Sequence, residues 1–228
     1  MGADGSKVEA AAVEQTSGAA VAGDERRSRY KKALQALQLA RLKATYRDQL
    51  EGERHRKLCI YFTQFLYSTE DYTARNESFI KLVRTFERTM GKDMVHSASK
   101  LLELHDLSDT LDQEIADKLI EMGCGEDFGM EEYERAYLLV DNYVIRVYQI
   151  ELIEETVHLV HRLAHYPLMG LLLKTLRAGA ALIGATAMVD FLQEGYDAMC
   201  SVDDVTEFTQ TIREREMARL DRIYEKAR

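Results

Sequence analysis

The segment IELIEETVHLVHRLAH, residues 150–165, shows how this chain folds. Its apolar residues recur at spacings of three and four, at Ile150, Ile153, Val157, Val160 and Ala164. In an α-helix this spacing places them on one face, which should point to the core, while the Glu and His residues between them face solvent. Similar spacings continue through most of the chain after residue 25, so the sequence predicts an all-α protein.

The composition supports the same fold class. The 228 residues include one proline and 13 glycines, whereas β-rich proteins need many more turn residues. Hydrophobic residues make up 46 % and charged residues 30 % of the chain, which is ordinary for a globular protein. We therefore expect a multi-helix bundle of about eight or nine helices in a single domain.

Glycines, capping side chains and the single proline divide the chain into helices. The predicted helices extend over residues 27–51, 54–67, 73–90, 93–106, 109–122, 131–165, 168–178, 180–199 and 204–226. They form one helical domain over residues 26–228. Residues 1–25 are rich in Ala, Gly, Ser and acidic residues, which predicts a flexible leader.

Cysteine usage and the N-terminal sequence indicate the cellular compartment of the protein. Three cysteines, at positions 59, 124 and 200, form no CxxC pair, so neither a disulfide framework nor a zinc knuckle is expected. The N-terminus lacks the basic start and apolar run of a signal peptide. The most apolar region, residues 166–192, is interrupted by charges and is too short in its uncharged part to span a bilayer. We expect a cytoplasmic protein without a transmembrane segment, metal or cofactor.

Positive charge is concentrated near the start of the predicted domain. Residues 26–57 hold eleven Lys or Arg and three acids, although the whole chain has 30 basic and 39 acidic residues. Five of the bases share one side of the helical wheel: Arg29, Lys32, Lys43, Arg47 and Arg54. We expect this surface to pack on the acidic remainder of the chain or on a second copy, with peripheral membrane contact as the alternative. Nucleic-acid binding is not expected, because the chain is acidic.

Four segments together resemble an uncharacterised bacterial protein family known by its FFLEE motif. They are RLKATYRDQL (41–50), IYFTQFLYSTEDYTARN (60–76), ELHDLSDTLD (103–112) and HYPLMGLLLKTLRAGAALIGATAMVDFLQEGYDAM (165–199). Their order and spacing agree with the family over most of residues 41–215. The name-giving acids are absent, since Gln64 and Phe65 occupy their positions.

The resemblance implies an all-helical fold and no established activity. It also singles out polar residues that match the family and could bind a ligand: Tyr46, Tyr67, Asp71, Arg75, Glu103, His105, Asp112 and Glu194. Two residues apart on a helix, Glu103 and His105 cannot share one face, so they cannot chelate one ion together. A hydrogen bond to a neighbouring helix is the simpler role for either side chain.

Three functions follow from these observations. The first is a non-catalytic interaction or scaffold module, with a protein partner or a second copy of itself, because no nucleotide-binding, hydrolase or zinc-protease motif is present. The second is a protein that binds a small apolar ligand, an acyl chain or lipid, between the helices of residues 168–199. The third is a metal-dependent, di-iron-like helical enzyme, because Glu155 and His158 have the Glu-x-x-His spacing of di-iron bundles.

Overall fold

The computed structural model describes the backbone of residues 5–67, 92–180 and 186–225. These residues form nine helices and no strand. The helices are α1 (Gly5–Thr45), α2 (Arg47–Glu51), α3 (Arg56–Tyr67), α4 (Lys92–Glu121), α5 (Met130–Val140), α6 (Tyr143–Ala164), α7 (Met169–Ala180), α8 (Thr186–Met199) and α9 (Thr206–Glu225). Side chains are described beginning at residue 23, so most of the leader predicted over residues 1–25 lies outside them. The all-α bundle is confirmed.

The long helices α4 and α6 form the centre of the bundle. Helix α6 packs against α4 on one side and α9 on another, while α1 packs against α4 and α3. Helix α5 contacts α4 and α9. Helices α7 and α8 pack on each other, and α8 also contacts α3 and α6. Among the described helices, none combines the length and apolarity needed to cross a bilayer.

The core consists of two apolar clusters. The first, called here the α3-side cluster, joins α3, α6, α8 and α9 around Phe208, against which Phe62 packs edge-on at 6.0 Å. The second, the α5-side cluster, joins α1, α4, α5 and α9 around Leu34, Ile115 and Leu119, which are fully buried. Both clusters draw residues from α1, α4, α6 and α9, so these four helices connect the two halves of the core.

The predicted boundary between residues 106 and 109 is wrong, because α4 is continuous from Lys92 to Glu121. Its buried residues Leu104, Leu111, Ile115 and Leu119 follow one another at helical spacing across the expected break. Burial of this stripe outweighs the weak helix propensity of the Ser and Asp residues near the expected break. The predicted helix over residues 73–90 lies outside the described residues.

The single helix predicted over residues 131–165 is also wrong, since it is divided into α5 and α6. Asp141 ends α5 in the left-handed conformation, with φ 52° and ψ 47°, which Asp tolerates better than most residues. Asn142 follows, and its Nδ2 donates to Glu114 on α4 at 2.7 Å. Within α6 the predicted core-facing stripe is confirmed, because Ile150, Ile153, Val157 and Ala164 are buried and Val160 is half-buried.

The first predicted helix, residues 27–51, is divided into α1 and α2, and Tyr46 lies between them. Its backbone dihedral angles, φ −108° and ψ 24°, lie outside the helical range. The side chain is 1 % exposed and belongs to the α3-side cluster. Burial of this large ring therefore accompanies the break in the helix.

Candidate functional site

A cavity of about 50 Å³ lies where the two core clusters meet, between α1, α5, α6 and α9. Apolar residues of both clusters contribute to its wall, among them Leu42, Ile153 and Leu220. The rest of the wall is polar and consists of Gln38, Arg41, Tyr133, Tyr137, Arg146, Gln149, Glu216 and Arg219. The space exceeds what one water molecule needs, and it is too small for an acyl chain.

Helix α1 brings Gln38 to the cavity. The buried residues of this helix recur every four positions, at Tyr30, Leu34, Gln38 and Leu42, so Gln38 occupies a core position between two leucines. Its Nε2 donates to Asp112 Oδ1 at 3.0 Å and to the Tyr133 hydroxyl at 3.2 Å. Its Oε1 is buried and accepts no hydrogen bond from the described residues. A buried carbonyl oxygen without a donor is costly, so this atom marks a place for a donor group in the cavity.

Asp112, on α4, holds Gln38 from the side away from the cavity. The residue is buried, and burial raises the pKa of its carboxyl group. The hydrogen bond from Gln38 and the charge of Arg146 act in the opposite direction and are weaker. The carboxyl group therefore retains its proton to a higher pH than an exposed aspartate does.

We expect Asp112→Asn to change the pH dependence of stability. The raised pKa means that the folded protein binds this proton more tightly than the unfolded chain, so wild-type stability falls as pH rises above the ordinary value of 3.8. The variant has no titrating group at this position and does not lose stability in this way. Its stability relative to the wild type should therefore increase as pH rises above 3.8, and the increase should end above the raised pKa of Asp112. Urea unfolding across about pH 3 to pH 8 measures the difference.

Asp48→Asn is the matched control, because its effect should have the opposite sign. Hydrogen bonding to Arg215 lowers the pKa of Asp48 to about 2. The wild type then loses this stabilisation as pH falls below 3.8, and the variant has none to lose. Parallel pH profiles for the wild type and Asp112→Asn would contradict the assignment of a raised pKa to Asp112.

Arg41, Glu216 and Tyr46 form a buried hydrogen-bonded group at the other end of the cavity. Arg41 Nη1 donates to both carboxylate oxygens of Glu216, at 2.8 and 2.9 Å. The Tyr46 hydroxyl donates to Glu216 Oε1 at 2.9 Å. Burial first, and then the neighbouring Glu216 charge, raise the pKa of Tyr46, so the hydroxyl remains a donor at neutral pH. This group ties α1 to α9.

Two tyrosines of α5 form an aromatic wall beside two further arginines. Tyr133 and Tyr137 pack edge-on with ring centroids 5.5 Å apart. The Arg146 guanidinium lies 4.4 Å from the Tyr137 ring centre, and Arg219 lies 5.2 Å from that of Tyr133. Arg146 also donates to the Leu111 carbonyl at 3.2 Å. Contact with aromatic faces helps to stabilise guanidinium groups removed from water.

The cavity wall therefore carries an excess of positive charge. Three guanidinium groups and one carboxylate line it. Guanidinium groups bind carboxylates and phosphates through paired hydrogen bonds. The arrangement is chemically suited to a small anion.

Two of the sequence-predicted residues, Tyr46 and Asp112, do not line the cavity but hydrogen-bond to residues that do, Glu216 and Gln38. Glu103 lies elsewhere on α4, where it accepts a hydrogen bond from the Tyr148 hydroxyl and pairs with Lys100 at 3.1 Å. These two contacts lower the pKa of Glu103. His105 is half-buried on the same helix. The predicted set is therefore divided between the surroundings of the cavity and the outer surface of α4.

The remaining predicted residues are not part of the cavity as described. Glu194 is exposed on α8. Tyr67 ends α3, but its side chain lies outside the described residues, as do Asp71 and Arg75 altogether. Their predicted roles stay predictions.

Several residues of the predicted basic surface pair with acids of the same chain. Arg29 contacts Glu126 at 2.7 Å, Arg47 contacts Glu51 at 2.7 Å, and Arg54 pairs with Glu207. Lys32 and Lys43 are exposed. Arg29 and Arg54 therefore pair with acids outside residues 26–57, whereas Arg47 pairs within this segment.

The Glu and His residues of α6 do not assemble a metal site in the part of the chain described. Glu155 pairs with Lys100 at 3.4 Å, and His158 Nε2 lies 3.1 Å from the Thr209 hydroxyl. Within the described residues, no group of three or more His, Cys, Asp or Glu side chains could hold a metal ion. The di-iron function therefore has no ligand set among these residues.

Sequence reasoning missed the residues that line the cavity, although a signal for them exists. Gln38 interrupts an apolar stripe at the exact spacing of that stripe. On α9, Glu216 follows the buried Phe208 and Ile212 at the same interval of four, and Arg219 adjoins buried Leu220. Polar residues at core-facing positions of a helix therefore predict a polar cavity or a buried hydrogen-bonded group, since buried polar groups require partners.

Comparison with known proteins identifies one related family. A family model described as a domain of unknown function (DUF8198) matches residues 19–228. No curated protein matches the chain significantly. No solved structure matches it significantly either.

Proposed function

The chain belongs to the DUF8198 family of domains of unknown function, and on this premise we propose that it is a non-catalytic binding module for a small oxyanion. The ligand carries a carboxylate or phosphate group and occupies the cavity between α1, α5, α6 and α9. The observation that carries the proposal is the wall of the cavity, in which three arginines accompany a single glutamate.

Charge and hydrogen bonding both support an anion with a protonated oxygen. An oxyanion would give a further acceptor to Arg219, which is largely removed from water and lies 3.8 Å from Glu134. The unpartnered Oε1 of Gln38 requires a donor, which a hydroxyl group of the ligand could supply. Hydrogen phosphate and small hydroxy acids combine these two features.

The chemistry of the wall supports binding rather than catalysis. Burial raises the pKa of Tyr137, as it does that of Tyr46, so both phenols stay protonated at neutral pH. Arginine likewise keeps its proton. These groups can donate hydrogen bonds to a ligand but cannot take up a proton, and the one carboxylate of the wall, Glu216, already accepts hydrogen bonds from Arg41 and Tyr46.

Ligand binding at this position would couple the two halves of the core. The cavity is bounded by residues of both clusters, and α1, α6 and α9 pass through both. A ligand that binds only the folded state stabilises it in proportion to the logarithm of its concentration. The proposed function is therefore that of a helical module whose stability responds to an anionic metabolite.

We expect Arg219→Gln to weaken oxyanion binding at least about tenfold, because it removes one charged donor from the cavity. Wild type and variant are titrated with phosphate, sulfate and acetate at constant ionic strength, and binding is followed by calorimetry and by melting temperature. Arg222→Gln is the matched control. It lies on the same helix and pairs with the same Glu134, but its side chain is 56 % exposed against 11 % for Arg219.

The proposal fails if none of the three anions raises the melting temperature of the wild type beyond the effect of chloride. It also fails if both arginine variants lose binding equally, since binding would then be a property of the exposed surface. A folded Arg219→Gln variant, judged by its circular dichroism, is required for the comparison.

The functions predicted from the sequence stay predictions beside this one. An interaction or scaffold role is compatible with a ligand-dependent module. The apolar cavity expected within residues 168–199 includes residues 181–185, which lie outside the described part. The polar wall of the central cavity favours an anion over an acyl chain there.

A further inference from the structure

The turn between α6 and α7 displays apolar side chains to solvent. Tyr166 is 60 % exposed, Leu168 is 75 % exposed, and Leu171, on the first turn of α7, is 61 % exposed. Large apolar side chains that are exposed singly are ordinary, but three within six residues form a patch. Such a patch indicates an interaction surface.

The backbone of this turn holds Leu168 in an unfavourable conformation. Its φ is 74°, in the left-handed region, which a leucine adopts only at an energetic cost. Two hydrogen bonds maintain the turn, from Met169 N to Tyr166 O at 3.1 Å and from Leu172 N to Leu168 O at 2.9 Å. Because Leu168 is exposed, burial in the core does not compensate for this backbone strain. Its exposed position is consistent with a contact to another molecule.

The electrostatic character of this region is opposite to that of the chain. Residues 156–189 contain no Asp or Glu, although the protein has 39 acidic residues. Arg162, Lys174 and Arg177 are exposed in the same segment, and Arg177 pairs with Asp190 at 3.0 Å. The apolar patch is therefore flanked by basic groups, which suits a negatively charged partner.

We propose that the turn of residues 165–171, with Arg162 and Lys174 beside it, docks on the surface of an anionic lipid bilayer. Leucine and tyrosine side chains enter the boundary between headgroups and acyl chains, while Lys and Arg contact the phosphates. This inference is independent of the cavity and of the oxyanion proposed to bind there.

The size of the patch favours a bilayer over a protein partner. Three partly exposed side chains present about 400 Å², roughly half of the 800 Å² that each partner buries in a stable protein interface. A bilayer needs no complementary shape, because its interface accommodates a projecting turn. The predicted basic surface of residues 29–54 is a weaker candidate, since Arg29, Arg47 and Arg54 are paired with acids of the chain.

The test is sedimentation of the full chain with vesicles of phosphatidylcholine, with or without about 30 % phosphatidylglycerol. We expect binding to the anionic vesicles that weakens with added salt. Leu168→Asn should reduce the partition coefficient about tenfold, and Lys174→Glu at least about fivefold. Asparagine tolerates the left-handed conformation, so Leu168→Asn should melt at or above the wild-type temperature.

Two control variants carry the same changes elsewhere. Val144→Asn removes another exposed apolar side chain, 78 % exposed on α6, and Lys43→Glu reverses an exposed charge on α1. Both should bind vesicles within about twofold of the wild type. Loss of binding in Lys43→Glu but not in Lys174→Glu would assign the contact to α1 and overturn the proposal.

Two further results would overturn it. One is the absence of binding to anionic vesicles at low salt. The other is a dimer, seen by sedimentation velocity without lipid, that Leu168→Asn abolishes, because the patch would then serve a second copy of the chain. Oxyanion binding by Leu168→Asn should equal that of the wild type, so failure of either proposal leaves the other testable.

Discussion

Replacing Glu216 with alanine is expected to reduce the free energy of unfolding by about 3 kcal/mol. The change leaves the Arg41 guanidinium without the carboxylate that accepts two hydrogen bonds at 2.8 and 2.9 Å. It also removes the acceptor of the buried Tyr46 hydroxyl. Because the side chains of Arg41 and Glu216 are only 12 % and 15 % exposed, water cannot fully replace the lost partner. Urea unfolding at neutral pH measures the loss.

Glu207→Ala is the control for this prediction. Glu207 lies on the same helix and pairs with Arg54, but the two side chains are 58 % and 68 % exposed. Exposed pairs of this kind contribute less than about 1 kcal/mol. Equal losses in the two variants would show that burial of the Arg41 pair has no energetic consequence.

A double variant separates two contributions to the stability loss in Glu216→Ala, namely the unpaired charge of Arg41 and the lost packing. Replacing Arg41 with methionine and Glu216 with leucine removes both charges and keeps apolar volume. The double variant should recover much of the stability lost in Glu216→Ala, because buried ion pairs are often no better than apolar residues of similar size. Failure to recover would indicate that Tyr46, rather than Arg41, depends on Glu216.

Gly195→Ala is expected to destabilise the protein by about 2 kcal/mol, although alanine is the better helix former. Gly195 is buried on α8, where that helix crosses α3. A Cβ atom there would lie 2.5 Å from Tyr61 Oη and 2.6 Å from Cζ. The Tyr61 ring packs against Phe191, with centroids 5.2 Å apart, so it cannot move away without disturbing this contact. Thermal and urea unfolding both measure the effect.

Gly179→Ala provides the comparison for Gly195→Ala. Gly179 lies in α7, and a Cβ there would meet no atom of the described residues within 4 Å. The variant should be stabilised by about 0.5–1 kcal/mol, as expected from helix propensity alone. A similar gain in Gly195→Ala would mean that α3 and α8 separate easily and that the close contact has little energetic weight.

The residues that line the candidate site were not predicted from the sequence, but two of their hydrogen-bond partners were. Tyr46 and Asp112 were singled out by resemblance to a family, and they bond to Glu216 and Gln38 of the cavity wall. Arg41 and Glu216 are 175 residues apart, and Gln38 and Asp112 are 74 residues apart. Periodicity shows that such residues face inward, but it does not show which of them meet.

The sequence by itself determined the fold class, because helical periodicity and the near absence of proline act through neighbours three and four residues apart. It also determined which face of residues 150–164 is buried. Only the tertiary structure decided that α4 continues through residues 106–109, that the chain breaks at Asp141, and that three arginines converge on one cavity. These outcomes depend on packing between helices that are distant in sequence. Local helix propensities are worth less than about 1 kcal/mol per residue, so tertiary packing outweighs them.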